Sequence, residues 1–326
     1  MDVRINWIDW AKALTMGLVV LGHFEYEDRG VILQNFIYSF HMPLFFLLSG
    51  YLYKQSNDFK VFLSKNIKTL VVPYVLLNLS VFLIMFPYYL HSNIDIKSLS
   101  FNFIICEKFI PASACWFLIS LFFVKVISFF ILKLKHFLQV LIIVFLSASC
   151  FYISQKLKIN VYFSIDSALM AIPFYIAGYY LKKYQIVEKI KNNYTGLILI
   201  VITFIPLLIG NYINGRIGMY SCYFGKYPIL FYINAFIGCI MVICTCNLLN
   251  NIESNIIKKI SSGSLVILAY HFPLITLLNC LYFHVFALSP DVLSNVVMSI
   301  IIMLLLYYPI ILIQKYCPIL IGNRKS

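Results

Sequence analysis

Apolar runs of about 20 residues, parted by short charged or turn-rich breaks, constrain this chain more than any other feature. A helix of that length spans the hydrocarbon core of a bilayer. The ten-residue alternating pattern of a membrane β-barrel is not seen. Ten runs fall near residues 8–24, 35–53, 69–90, 113–132, 137–153, 165–181, 194–213, 228–249, 263–284 and 292–314. Composition agrees: 62% of the 326 residues are hydrophobic, 11% are charged, and mean hydropathy is +0.91. A soluble domain carries about 25% charged residues, so this chain cannot cover itself with polar surface. The expected fold is all-α, a polytopic membrane bundle of about ten helices forming one domain over residues 1–326. The breaks near 91–112 and 182–193 are too short for a separate soluble domain. Met1-Asp2-Val3-Arg4 leads into the first run without a small-x-small site, so no cleavable leader is expected.

The loop charges predict an orientation. Of the 25 Lys and Arg residues, 17 fall at the N-terminus, in the breaks 54–68, 133–135, 182–191 and 258–259, and at the C-terminus. The opposite breaks hold Arg29, Lys97, Lys108, Lys156, Lys158, Arg216 and Lys226, and Lys125 lies inside a run. The positive-inside rule then places both termini in the cytoplasm, and the inner (cytoplasmic) membrane is the expected location. The same asymmetry accounts for much of the net charge of +13 without a nucleic-acid partner. The nine cysteines form no C-x-x-C pair, so they read as small packing residues, with no metal site or disulfide framework expected.

Ionisable side chains inside the runs carry the functional signal, because a bilayer makes them costly. The first run reads Asp9-x-x-Lys12 and ends in Gly22-His23. Lys12 and His23 are eleven residues apart, so they share a helix face about 16 Å apart along the axis. Asp9, one turn before Lys12, is placed to pair with it. The second run reads Phe40-His41-Met42-Pro43-Leu44-Phe45-Phe46 and closes with Ser49-Gly50-Tyr51. His41 is expected to face His23 across the acidic loop Glu25-Tyr26-Glu27-Asp28, which would favour a protonated histidine. Histidine is the natural general base near neutral pH. Lys65 and Lys68, at i and i+3 before the third run, suit a phosphate-bearing ligand on the cytoplasmic side. Each lysine alone is equally well explained as an interfacial anchor. Trp116 opens the fourth run, Lys125 needs a partner for which Asp166 is one option, and His271 is as consistent with packing as with catalysis. No P-loop, G-x-S-x-G, H-E-x-x-H or G-x-G-x-x-G is present.

At these residues the chain resembles the acyltransferase family 3 membrane proteins, and most of all their fucose 4-O-acetylase-like branch. Lys12 and His23, with Asp9 before them, match the first-span pattern. Phe40 to Phe46 with Ser49-Gly50-Tyr51 matches the second. Lys65 and Lys68 stand where two arginines are usual, and Pro73-Tyr74 follows as expected. Trp116-Phe117-Leu118, Pro173 to Tyr179 and Leu268-Ala269-Tyr270-His271 fall in family order. The resemblance implies O-acetyl transfer from cytoplasmic acetyl-CoA to a hydroxyl of a cell-surface polysaccharide or its lipid-linked sugar precursor. It implies His23, His41 and Asp9 as catalytic residues and Lys12, Lys65 and Lys68 as the acetyl-CoA site. Two rival readings stand beside it: a transporter or flippase of a lipid-linked sugar, and a non-catalytic subunit of a polysaccharide assembly.

Overall fold

The computed structural model describes residues 4–26, 29–92, 94–106, 110–159, 161–190, 193–287 and 291–322. Fifteen helices are seen among them. The first seven are α1 (Asn6–Gly22), α2 (Arg29–Tyr38), α3 (His41–Tyr51), α4 (Phe59–Asn66), α5 (Val72–His91), α6 (Ile96–Ile104) and α7 (Trp116–Ile131). The rest are α8 (His136–Phe151), α9 (Ile165–Lys183), α10 (Ile186–Lys189), α11 (Asn193–Asn214), α12 (Pro228–Leu248), α13 (Asn255–Ser262), α14 (Ser264–Phe286) and α15 (Val292–Tyr316). No strand longer than a single bridge, Gly218 to Tyr223, occurs among the described residues. The fold is an all-α polytopic bundle, and each of the ten apolar runs coincides with a helix or a pair of helices.

Among the described residues, eight helical segments are long and apolar enough to cross a membrane. The other two runs are α1, with 17 residues, and α9, which carries Asp166, Lys182 and Lys183. Both lie inside the bundle. Val20 and Ala11 of α1, and Ala168, Met170, Ala171, Ile172, Phe174 and Tyr175 of α9, are fully buried. A helix walled by protein need not match the apolarity of lipid, which explains their composition. The peripheral helices show the reverse: Phe137 and Phe145 of α8 are 73% and 68% exposed, an apolar rim suited to acyl chains.

The second run departs from a single span. It starts at Arg29, earlier than expected, and breaks at Ser39-Phe40. Pro43 is the cause: it cannot donate to the Ser39 carbonyl and its ring crowds that turn. The Ser39 hydroxyl donates to the Phe36 carbonyl at 2.7 Å, closing α2, and the Leu44 amide donates to Phe40, opening α3. A second irregularity lies in the continuous helical stretch Phe59–His91, where Ile67–Val71 forms a π-turn between α4 and α5. Pro73 cannot return an amide to Thr69, so the ladder widens just before it.

Two glycines set the tightest crossing. α3 and α9 approach so closely that a Cβ on Gly50 would lie 1.8 Å from the Tyr175 carbonyl oxygen, and one on Gly178 would lie 1.9 Å from that of Leu47. Small residues permit such backbone contact between membrane helices. At the end of the bundle where α1 begins, polar contacts tie the chain together. Asn6 Nδ2 donates to Asn250 and Ile252, Trp10 Nε1 donates to Ile252, and the Trp7 amide donates to Asn250 Oδ1. The last of these serves a backbone amide that the first helical turn leaves unpaired.

Candidate active site

His23 caps the C-terminal end of α1, and what surrounds it is aromatic. Its Nδ1 lies 3.1 Å from the Tyr38 hydroxyl. Its ring lies 4.5 Å from Phe272 and 5.0 Å from His271, centroid to centroid. Tyr38 in turn stacks edge-on against His41 at 5.0 Å. The break at Ser39-Phe40 makes this possible by setting Tyr38 at the end of α2 and His41 at the start of α3.

The three histidines have distinct hydrogen-bond roles. His41 Nδ1 donates to the Ile37 carbonyl at 2.8 Å, and His271 Nδ1 donates to the Ile267 carbonyl at 2.8 Å. Both rings are buried, and the donation fixes a tautomer whose lone pair is on Nε2. Among the described residues His271 Nε2 has no partner, a condition that costs a buried polar atom about 1–3 kcal/mol. The partner of His23 Nδ1 is a hydroxyl that can donate or accept; in the tautomer where Nδ1 donates to it, Nε2 is the basic nitrogen.

His23 faces a cavity of about 630 Å³. Tyr38, Trp116, Arg216, Tyr220 and Phe272 also line it. Trp116 meets Tyr220 edge-on at 5.9 Å, so it forms a cavity wall. Asn78 of α5 fixes the approach to α7: its Oδ1 accepts from the Ala112 amide at 2.9 Å. Ser80, two residues on, shares a 2.7 Å hydrogen bond with the Tyr270 hydroxyl and so steadies the turn of α14 that carries His271.

A second cavity, of about 570 Å³, opens at the other end of α5. Lys60, Lys65, Lys68 and Gly322 line it. The π-turn does not part Lys65 from Lys68. Both still point into one cavity, joined by Lys60, which the spacing did not single out. Lys125 of α7 lies within Coulombic reach of both Lys12 and Lys65, so Lys12 belongs to this basic end. From Lys68 to Ser80 along the helix is about 18 Å, and from Lys12 to His23 about 16 Å. The basic and histidine sites thus sit at two levels of one bundle.

Several expected pairings are corrected. Asp9 does not pair with Lys12. The guanidinium fork of Arg4 holds both Asp9 oxygens, and the Ser261 hydroxyl donates to Oδ1 at 2.6 Å. Arg4 also donates to the Lys258 carbonyl at 2.8 Å, so Asp9 ties α1 to α13, about 21 Å along α1 from His23. A bidentate guanidinium outcompetes a single ammonium for a carboxylate. His41 meets His23 through Tyr38. Glu25 is exposed, while Glu27 and Asp28 lie outside the described residues. Lys125 and Asp166 do not meet: Lys125 is at the basic end, whereas Asp166 opens α9 beside Ser167, whose hydroxyl reaches Met219 at 2.9 Å. The sequence did not point to Tyr38, offered Arg216 only as a loop charge, and left His271 without a role.

The family model described as an acyltransferase domain, acyltransferase family 3, matches residues 5–313. No curated protein and no solved structure matches the chain.

Proposed function

The chain belongs to acyltransferase family 3 and is a membrane acyltransferase; we propose that it is an O-acetyltransferase of the inner membrane, moving acetyl from cytoplasmic acetyl-CoA to a sugar hydroxyl. The acceptor is a cell-surface polysaccharide or its lipid-linked precursor. The observation that carries this reading is the pair of cavities, one basic and one holding His23, on one bundle. Lys60, Lys65 and Lys68 suit the phosphates of a CoA donor, with Lys12 and Lys125 along the way. The 16–18 Å between the levels is comparable to a pantetheine arm laid along the helices.

At the histidine level, His23 Nε2 takes the proton of the acceptor hydroxyl as the oxygen attacks the thioester carbonyl. The carbon–sulfur bond breaks, and the proton passes to the departing thiolate. Tyr38 accepts from His23 Nδ1 and holds the ring in the basic tautomer, while His41 packs against Tyr38 and fixes it. The unpartnered Nε2 of His271 places a lone pair beside the imidazolium that forms. Asp9 serves by anchoring the basic end of α1 through Arg4 and Ser261.

The test uses membranes holding the wild type or the His23→Ala variant, with acetyl-CoA labelled in its acetyl group and the host's surface polysaccharide or lipid-linked precursor. Wild type should place label in carbohydrate and release CoA. His23→Ala should lose transfer by about 10²–10⁴-fold while inserting normally. Full activity in the variant, or no label and no CoA release from well-inserted wild type, would overturn the proposal.

A further inference from the structure

Arg216 stands out among the residues that line the histidine cavity. It projects from the loop between α11 and α12 and is exposed. No carboxylate lines that cavity, and Arg216 has no ion-pair partner, among the described residues. The loop is built to hold it. Gly215, at φ +69°, turns the chain out of α11. Ile217, Met219, Cys222 and Phe224 are then buried at 1%, 3%, 0% and 0% exposure. Gly218 and Tyr223 exchange two 2.9 Å backbone hydrogen bonds. Asn214 clasps the return strand, donating to the Phe224 carbonyl at 2.9 Å and accepting from the Tyr227 amide at 2.7 Å. Gln155 Nε2 donates to the Cys222 carbonyl at 3.0 Å. The pinned loop fixes the backbone of Arg216 at the cavity, and its exposed side chain carries the fork to an anion there.

The rest of the wall is aromatic. Trp116 and Tyr220 line the same cavity as Arg216 and His23, and flat apolar faces beside polar groups suit a sugar ring. From this arrangement we propose that the acceptor is anionic: a carboxylate or phosphate near the reactive hydroxyl docks on Arg216, the ring lies against Trp116 and Tyr220, and the hydroxyl meets His23. This rests on the acetyltransferase reading for the role of His23. Its own content is the charge of the acceptor and the residue that selects it. The anion comes from one of two sources, an acidic sugar or the phosphate of a lipid carrier.

Binding to the purified full chain, followed by tryptophan fluorescence without acetyl-CoA, separates these cases. The probes are methyl glucoside, methyl glucuronoside, glucose 1-phosphate and dodecyl phosphate. Wild type should bind at least one anionic probe about 10- to 100-fold tighter than methyl glucoside, as expected for a charge-assisted contact. Preference for methyl glucuronoside assigns an acidic sugar, and preference for dodecyl phosphate over glucose 1-phosphate assigns a lipid carrier. Arg216→Gln should erase the preference, and Arg216→Lys should retain part of it, the charge without the fork. Should Arg216→Gln fail to insert, the lysine variant and the salt dependence of wild-type binding carry the test. Equal affinity for neutral and anionic probes, no saturable binding of any anionic probe, or an unchanged preference in a folded Arg216 variant would overturn the proposal. Loss of transfer in the labelled assay with the anion preference intact would instead count against the acetyltransferase reading.

Discussion

At the scale of single residues, the site depends on how each histidine is held. Tyr38 is the direct partner of His23, so Tyr38→Phe should lower kcat about 10- to 100-fold with little change in acceptor KM, read from initial rates in labelled-acetyl assays. A Tyr38→Phe enzyme with wild-type kcat would remove Tyr38 from the orientation of His23. His271→Gln should also lower kcat, because the lone pair beside His23 is replaced by a differently placed amide. His23 and His41 were legible in the sequence because an ionisable ring in an apolar run is conspicuous. Tyr38 was not: it is one of 24 tyrosines, and its role depends on a helix break that no spacing rule reports. Arg216 read as a loop charge for the same reason, since a turn brings it to the cavity. Asp9 looked paired to Lys12 by helical spacing, but Arg4 precedes the helix and folds back with a better fork.

Among the elements, the crossing of α3 and α9 decides whether the histidine level is assembled. The first carries His41, and the second packs beneath it through the Gly50 and Gly178 contacts. Gly178→Ala forces a methyl into a carbonyl oxygen and should destabilise the bundle by about 1–3 kcal/mol. Gly17→Ala, with nothing within 4 Å of its added carbon, should cost nothing measurable. Thermal midpoints of the two detergent-solubilised variants check this, and equal midpoints would contradict the crossing. The extents of the long helices were legible from hydropathy to within a few residues. The break at Ser39-Phe40 and the π-turn at Ile67–Val71 were not, although Pro43 and Pro73 stood in view. A proline marks where a helix is weakened, but the packing around it decides whether the ladder breaks, widens or continues.

For the whole molecule, the bundle places a basic cavity and a histidine cavity at separate levels. The lysines at 60, 65 and 68 serve only the first. Lys65→Gln together with Lys68→Gln should therefore raise the KM for acetyl-CoA about tenfold or more while leaving the acceptor KM unchanged, in steady-state assays varying each substrate in turn. The overall class was legible from composition, because 11% charged residues leave no soluble alternative. The meeting of α1, α2, α7, α14 and the loop after α11 around one cavity was beyond it, because hydropathy orders spans along the chain and says nothing about which ones touch. The most direct test uses sealed vesicles with the protein inserted in one known orientation. Labelled acetyl-CoA is supplied on the face bearing Lys60, Lys65 and Lys68, and acceptor on the other. Label should reach the acceptor in that arrangement and not when the two substrates exchange sides. Transfer that ignores sidedness, or that occurs only with both substrates on one face, would contradict a path running from the lysines to His23.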